Sequence, residues 1–557
     1  MSGAVASSVP ATIASSASDS RSRPAVGMHD AAAVAAAYRD GWWVRQTLAD
    51  AARACLQQDS GRIVIVDGQT RLDMATLHQR ASGLAAALQS RYPVGSVVSF
   101  MLPNWHEAAV IYLAITLAGM VAHPILPSMR VRELGYQLRD VRSRLIFIPR
   151  QHRKHDYVAM MRQLATVLDR LPQVVTVRGA EPGLVALEEL SETPQELPTL
   201  DPDAVRLVLY TSGTTGAAKA VRHTHNTLHA LLRQIAQHWR ADPGDAFLVP
   251  SPISHIGGSI YAFEAPLLLG TRAVLMERWD PHEALQLARD ERCTHICGAT
   301  PFLQQLLQAA EQADEHLPAL KLFVCGGASV PPALIRAAAA HFSNAAVTRV
   351  YGSSEVPVTT VGVPDRDRLD QAADSDGEVG IAQVRLAPQP GCADDEGEVR
   401  VRGPQMFIGY LHDADTRAAF DEDGYFRTGD LGRWQAEQLL QISGRSKDLI
   451  IRNGENISPK EIEDLLVEHP DIAEVAIVGI PDPRTGERAC AIVVSKRPSA
   501  LDVAGLGDYL RQQGVAAFKF PETLEIWPSL PRNATGKVLK HVIRARLCGS
   551  PEQEEGA

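Results

Sequence analysis

From residue 62 to residue 351, short apolar runs alternate with longer segments in which apolar residues recur at helical spacing. The runs at 62–66, 97–101, 145–148, 207–210, 247–249, 295–297, 322–325 and 347–351 predict strands. Segments 76–88, 105–117, 225–238, 281–289 and 332–341 predict helices. Strands separated by helices pair in parallel, because the helix supplies the crossover that a tight turn cannot. The pattern therefore predicts an α/β fold: a large N-terminal domain of packed, largely parallel sheets with flanking helices. At 557 residues the chain exceeds what one hydrophobic core holds, so a second domain is expected.

The texture changes near Arg445. A hairpin-like run at 449–452 leads into Asn453-Gly454, a dipeptide suited to tight turns with positive φ. Ser458-Pro459-Lys460-Glu461 predicts a capping box opening a helix over 460–468. Strands at 475–478 and 491–494 and a helix at 503–513 complete a small α+β unit. The expected order is a disordered tail (1–27), a large domain (28–446), a small mobile C-terminal α+β domain (447–548) and a second tail (549–557). No repeat of fixed period is visible.

Several classes are excluded. The chain carries 55 Lys plus Arg against 65 Asp plus Glu, a net charge of −10, which argues against a nucleic-acid partner. Its seven scattered cysteines predict no disulfide framework and a reducing compartment, the cytoplasm. The Ala/Ser/Pro-rich start lacks the positive region and apolar stretch of a secretory signal. Residues 108–129 hold no Asp, Glu, Lys or Arg, but His123, Pro124 and Pro127 make them a buried helix followed by a strand rather than a transmembrane segment. Cys293-Thr294-His295-Ile296-Cys297 has zinc-friendly residue types but no second ligand pair, so metal binding there is not expected. Lys540 reads as an ordinary solvated lysine.

The most informative stretch runs from Leu207 through Thr211, Ser212, Gly213, Thr214, Thr215 and Gly216 to Lys219. A strand enters a loop whose glycines let backbone N–H groups approach phosphate oxygens, whose hydroxyls donate, and whose lysine adds charge. The spacing is not that of the Walker loop. This stretch resembles the signature of the adenylate-forming superfamily of acyl-CoA synthetases, peptide-synthetase adenylation domains and luciferases. Four further motifs follow in the superfamily's order: 351–355 (YGSSE), 425–430 (YFRTGD), 444–448 (GRSKD) and 531–537 (PRNATGK). Ala218 and Ala220 depart from the usual Pro and Gly of the loop.

The resemblance implies a carboxylic acid activated by ATP as an acyl-AMP and then passed to a thiol, with Mg2+ and coenzyme A. Thr211, Ser212, Gly213, Thr214, Thr215, Gly216 and Lys219 would bind phosphates. Tyr351 would stack on adenine, with Gly327, Ala328 and Gly352 nearby, and Ser354 would contact the α-phosphate. Glu355 and Thr211 would hold Mg2+. Asp430 would accept from the ribose hydroxyls, and Arg445 would add a second nucleotide contact. Lys537 is similar to the superfamily's catalytic lysine, Lys447 to its hinge, and Asn453-Gly454 would meet the thiol of coenzyme A after domain rotation.

His255 is similar to the gate residue of CoA-forming relatives. Ile256 stands where amino-acid-activating relatives place an Asp, which disfavours an ammonium-bearing substrate. With Gly326, Gly327 and Ala328 as a small-residue floor, the expected substrate is an apolar acid, alicyclic, aromatic or medium-chain. Gly41-Trp42-Trp43 adds a likeness to cyclohexanecarboxylate–CoA ligases, and medium-chain fatty-acyl–CoA ligases are similar too. The alternatives are a stand-alone acyl-AMP ligase that loads a separate carrier protein and a non-catalytic nucleotide-binding relative. The partners expected are small molecules, with homodimerisation left open.

Overall fold

The computed structural model describes residues 31–548 apart from 195, 212–217, 328–329, 390–394, 437, 453–454, 498–500 and 534–535. The two tails and the Asn453-Gly454 turn therefore lie outside the described residues.

The eight strands and five helices anticipated over residues 62–351 all form, with ends within about two residues of expectation. They build two sheets. In one, Ala346–Val350, Leu322–Gly326, His295–Gly298, Ala246–Val249, Arg272–Leu275 and Ile63–Asp67 run parallel in that order, with Thr70–Asp73 antiparallel at the edge. The other is parallel from Val205–Thr211 through Val121–Pro124, Val97–Phe100, Leu145–Pro149 and Gln173–Val177 to Val185–Ala186. Lys219–Thr224 and Gly409–Tyr410 extend it antiparallel.

The largest apolar cluster joins the sheets: Phe247, Val249 and Val324 from one meet Phe100, Leu207 and Leu209 from the other. The helix His106–Leu117 lies in this layer, and every residue from Ala108 to Leu117 is buried. A helix apolar on all sides belongs inside a core, which accounts for the long uncharged span.

A six-stranded sheet over 360–445 went unread in the sequence, and it is antiparallel rather than parallel. Its signal was present. In the strand Glu396–Arg402, Val399 and Val401 are buried while the alternate Arg400 and Arg402 are half-buried. Beyond Arg445 a five-stranded sheet with helices Pro459–Leu466 and Val503–Gln512 packs its own core, including Ile450, Ile462, Leu466, Ile477 and Leu510.

The capping box does not form. The Ser458 hydroxyl donates to the Ser443 carbonyl at 2.7 Å instead. Glu461 takes both its oxygens to the Lys519 ammonium, each at 2.7 Å. Tertiary partners outcompete the local cap.

Candidate active site

The strands Val205–Thr211 and Lys219–Thr224 pair with Thr211 opposite Lys219, so the ladder pinches off the loop between them. Ser212 to Gly216 fall outside the described residues, but both ends of the loop line a cavity of about 600 Å³. The Lys219 ammonium lies 3.2 Å from Asp415 and 5.1 Å from the centroid of the Tyr410 ring.

The opposite wall comes from the chain leaving the strand Ala346–Val350. Its first residue, Tyr351, donates its hydroxyl to Asp430 Oδ2 at 2.8 Å. Asp430 faces Arg445 across the neighbouring antiparallel pair, and its Oδ1 receives the guanidinium Nε at 2.8 Å. Gly352 is required by packing, since a Cβ there would stand 2.6 Å from the Val358 nitrogen. The Ser354 carbonyl accepts from His223 Nε2 at 2.8 Å, which fixes the backbone of the motif. Glu355 is buried, and its Oε1 accepts from the Tyr410 hydroxyl at 2.8 Å. The carboxylate raises that phenol's pKa, after the larger effect of burial.

The small domain closes the same cavity. Lys537 follows a turn in which Arg532 donates to the Gly536 carbonyl at 2.6 Å and the Lys537 N–H donates to Asn533 Oδ1 at 2.8 Å. A Cβ on Gly536 would sit 3.7 Å from Pro301, so the turn lies against the large domain. Burial, and next the Arg445 charge, push the Lys537 ammonium down to about 8, against the pull of Asp430 and Asp448. Lys447 lies in the single turn Ser446–Asp448 that joins the six-stranded sheet to the small domain, and burial lowers its pKa too.

Lys540 is not the solvated lysine expected. Its ammonium meets Glu463 Oε1 at 2.7 Å, and both residues line the nucleotide-sized cavity. Glu463 also accepts from the Ile477 N–H at 2.6 Å, and burial raises its pKa. No local pattern distinguishes such a pair from a surface lysine, because its partner lies 77 positions away in the chain.

A second cavity, of about 260 Å³, opens off the first, sharing Gly327 and Val350 to Ser354. His255, Ile256, Gly257, Ile260 and Phe302 line it. Burial holds His255 at about 4, and its Nε2 has no partner among the described residues, so the imidazole is neutral near pH 7. Gly326 is fixed by packing, because a Cβ would stand 2.8 Å from the Val350 carbonyl. Gly327 is different: its φ is +85° and a Cβ would meet nothing within 4 Å. Ala328 lies outside the described residues.

Cys297, set aside with the zinc-like run, lines this second cavity instead. His295 spends its Nε2 on the Trp239 carbonyl at 3.0 Å and stacks on Phe247, the bonding of a core histidine. Among the described residues the one cluster with metal-ligand spacing is Asp67, His106 and Glu107. Arg178 already pairs with both of its carboxylates, at 2.7 Å from Asp67 and 2.8 Å from Glu107.

This arrangement puts a polar cavity with anion-binding groups end to end with an apolar one, spanned by strand termini and a lysine from a second domain. Comparison with known proteins matches residues 52–411 to the AMP-binding enzyme family and 461–537 to its C-terminal domain. The chain belongs to the AMP-binding enzyme family. It is 34% identical over 527 residues to the medium-chain fatty-acid–CoA ligase of Escherichia coli K12, covering 91% of this chain and 92% of that one. It is 30% identical to the 2,3-dihydroxybenzoate–AMP ligase of Bacillus subtilis, covering 91% and 95%. ATP-bound MatB from Rhodopseudomonas palustris superposes with a TM-score of 0.80 at 27% identity, over 90% of this chain and 99% of that one. The family member described here is an AMP-forming acid–thiol ligase. Among its described residues no helix is long and apolar enough to cross a membrane.

Proposed function

We propose that the enzyme joins a compact, largely apolar carboxylic acid to AMP and then transfers the acyl group to coenzyme A. The observation that carries the substrate class is the lining of the 260 Å³ cavity, which includes Ile256, Ile260, Phe302 and Val324 and, among the described residues, holds no Asp, Glu, Lys or Arg. An ammonium or second carboxylate in that lining would lie unpaired, at a cost of several kcal/mol.

The chemistry follows from bringing two anions together. A carboxylate attacks the α-phosphate only if the charge on both is offset as the new bond forms. Lys537, which lines the larger cavity, would lie between the incoming carboxylate and the α-phosphate. Lys219 and the ends of the phosphate loop hold the distal phosphates, Tyr351 flanks the base, and Asp430 with Arg445 receives the ribose. Glu355 and Thr211 offer oxygen donors to the same cavity, as a hard cation requires, so these residues would hold Mg2+. When bound, that ion neutralises phosphate charge.

Pyrophosphate leaves and the acyl-AMP stays, its acyl group in the apolar cavity behind His255 and Gly327. Rotation about Lys447 would then withdraw Lys537 and bring the Asn453-Gly454 turn to the thiol, whose sulfur displaces AMP. A second reading, transfer to a carrier protein, is favoured by the likeness to an AMP ligase. Incubation with an acid panel, ATP, Mg2+ and coenzyme A, followed by mass spectrometry, tests the proposal. Acyl-CoA is the expected product; acyl-AMP accumulating without thioester would replace this reading with the carrier-loading one.

A further inference from the structure

The base of the apolar cavity is not wholly apolar. Parallel pairing sets Cys297 beside Val324, and both side chains join the core between the two sheets and line the cavity. Across from them stands a π-helical turn, Ile260–Glu264, in which Tyr261 lies flat on Phe247 with centroids 5.2 Å apart and planes at 7°. Stacking fixes the phenol ring, and among the described residues its hydroxyl makes no hydrogen bond to an oxygen or nitrogen; the one polar side chain acting on it is Cys297. Tyr261, Cys297 and Trp239 line only the apolar cavity and are the most buried of its polar members, at 4%, 7% and 2% exposure. They therefore form the end remote from the nucleotide. The Trp239 N–H is already given to the Val361 carbonyl at 2.9 Å.

Sulfur is a weak acceptor, so a buried O–H with only a thiol beside it forgoes much of the hydrogen bond that an oxygen would take. The thiol is also neutral, since burial pushes Cys297 up to about 12. A carbonyl or ether oxygen arriving at the base would be a better acceptor for Tyr261 than the sulfur beside it. A methylene there would gain only contact. A π-turn inserted at a binding wall is a common way to aim one side chain inward.

We infer that the preferred acid carries a hydrogen-bond acceptor oxygen at the end remote from its carboxylate, received by the Tyr261 hydroxyl. The inference rests on the acyl-cavity assignment proposed above and narrows it from an apolar acid to an apolar acid oxygenated at its far end.

Matched ring acids test it: cyclohexanecarboxylic acid against its 4-oxo derivative, and the same pair with two methylenes between ring and carboxylate to vary reach. Pyrophosphate release gives kcat/KM for each. The wild-type enzyme should favour the oxo member of at least one pair by about tenfold or more. Tyr261→Phe should bring that ratio near one. Cys297→Ala should raise it, because the phenol then has no competing acceptor. Absence of an oxo preference in both pairs, or a preference unchanged by Tyr261→Phe, overturns the inference while leaving the ligase reading intact. If Tyr261→Phe fails to fold, an unchanged ratio in Cys297→Ala overturns it as well. No pyrophosphate release with any acid would remove the functional reading itself, and the inference with it.

Discussion

Lys537→Ala removes one charge from a site where two anions must meet, and the structure fixes what should follow. The ammonium is held at about 8 by burial and by Arg445, although Asp430 and Asp448 oppose the shift. It is therefore mostly protonated at pH 7 and half so near pH 8. Only the protonated form can offset charge in the adenylating step. In the free enzyme, kcat/KM for ATP should fall as pH rises through about 8, because that ratio reports free-enzyme groups. Bound phosphates raise the ammonium's pKa, so kcat should hold to higher pH. His255 stays neutral from about pH 5 upward and does not blur the profile. Loss of one preorganised donor to a developing charge costs roughly 10²–10³ in rate, about 2.7–4 kcal/mol. Single-turnover acyl-AMP formation in Lys537→Ala should drop by that factor, and kcat/KM for ATP should lose its fall above pH 8. Transfer from supplied acyl-AMP to coenzyme A should change far less. A wild-type profile flat to pH 9.5, or equal losses in both half-reactions, would refute the reasoning.

Three further outcomes are expected. Lys540→Met leaves Glu463 buried without its ammonium and loosens the segment that carries Lys537. Adenylate formation should slow by about tenfold or more with little change in thioester formation from acyl-AMP, and Lys540→Arg should restore much of it. Arg206 and Glu264 form an ion pair in the core, with Arg206 also donating to the Tyr112 hydroxyl at 3.0 Å. Arg206→Met should therefore cost about 3–5 kcal/mol, read as a lower Tm, whereas adding Glu264→Leu should recover much of it. Gly327→Leu puts a side chain into open space between the cavities at a φ that L residues avoid, so kcat/KM should fall about tenfold further for a ring acid than for propionic acid.

Parallel strands buried on both faces are continuous apolar runs, and that is why residues 62–351 were legible as an α/β domain. The antiparallel sheet at 360–445 was missed because its alternation is diluted by charge. Arg385, Arg400 and Arg402 stand within its strands and pair with Asp421, Asp423 and Gln383. Motif residues were legible as a group, since Tyr351, Asp430, Arg445 and Lys537 sit in runs whose spacing carries chemistry, and they line one cavity. Residues set by tertiary partners were not. Tyr410 reaches Glu355 across 55 positions, and Lys540 reaches Glu463 across the small domain. Gly326 illustrates a subtler gap: it lines the apolar cavity, and the close Val350 carbonyl, which the sequence does not reveal, also forbids a side chain there.

The central claim is that one site makes an adenylate and then a thioester, and the nucleotide product tests it most directly. With its best acid, ATP, Mg2+ and coenzyme A, the enzyme should release AMP and pyrophosphate in equal amounts with acyl-CoA, and ¹⁸O from the carboxylate should appear in AMP. ADP and phosphate, or AMP free of the label, would contradict an acyl-AMP intermediate.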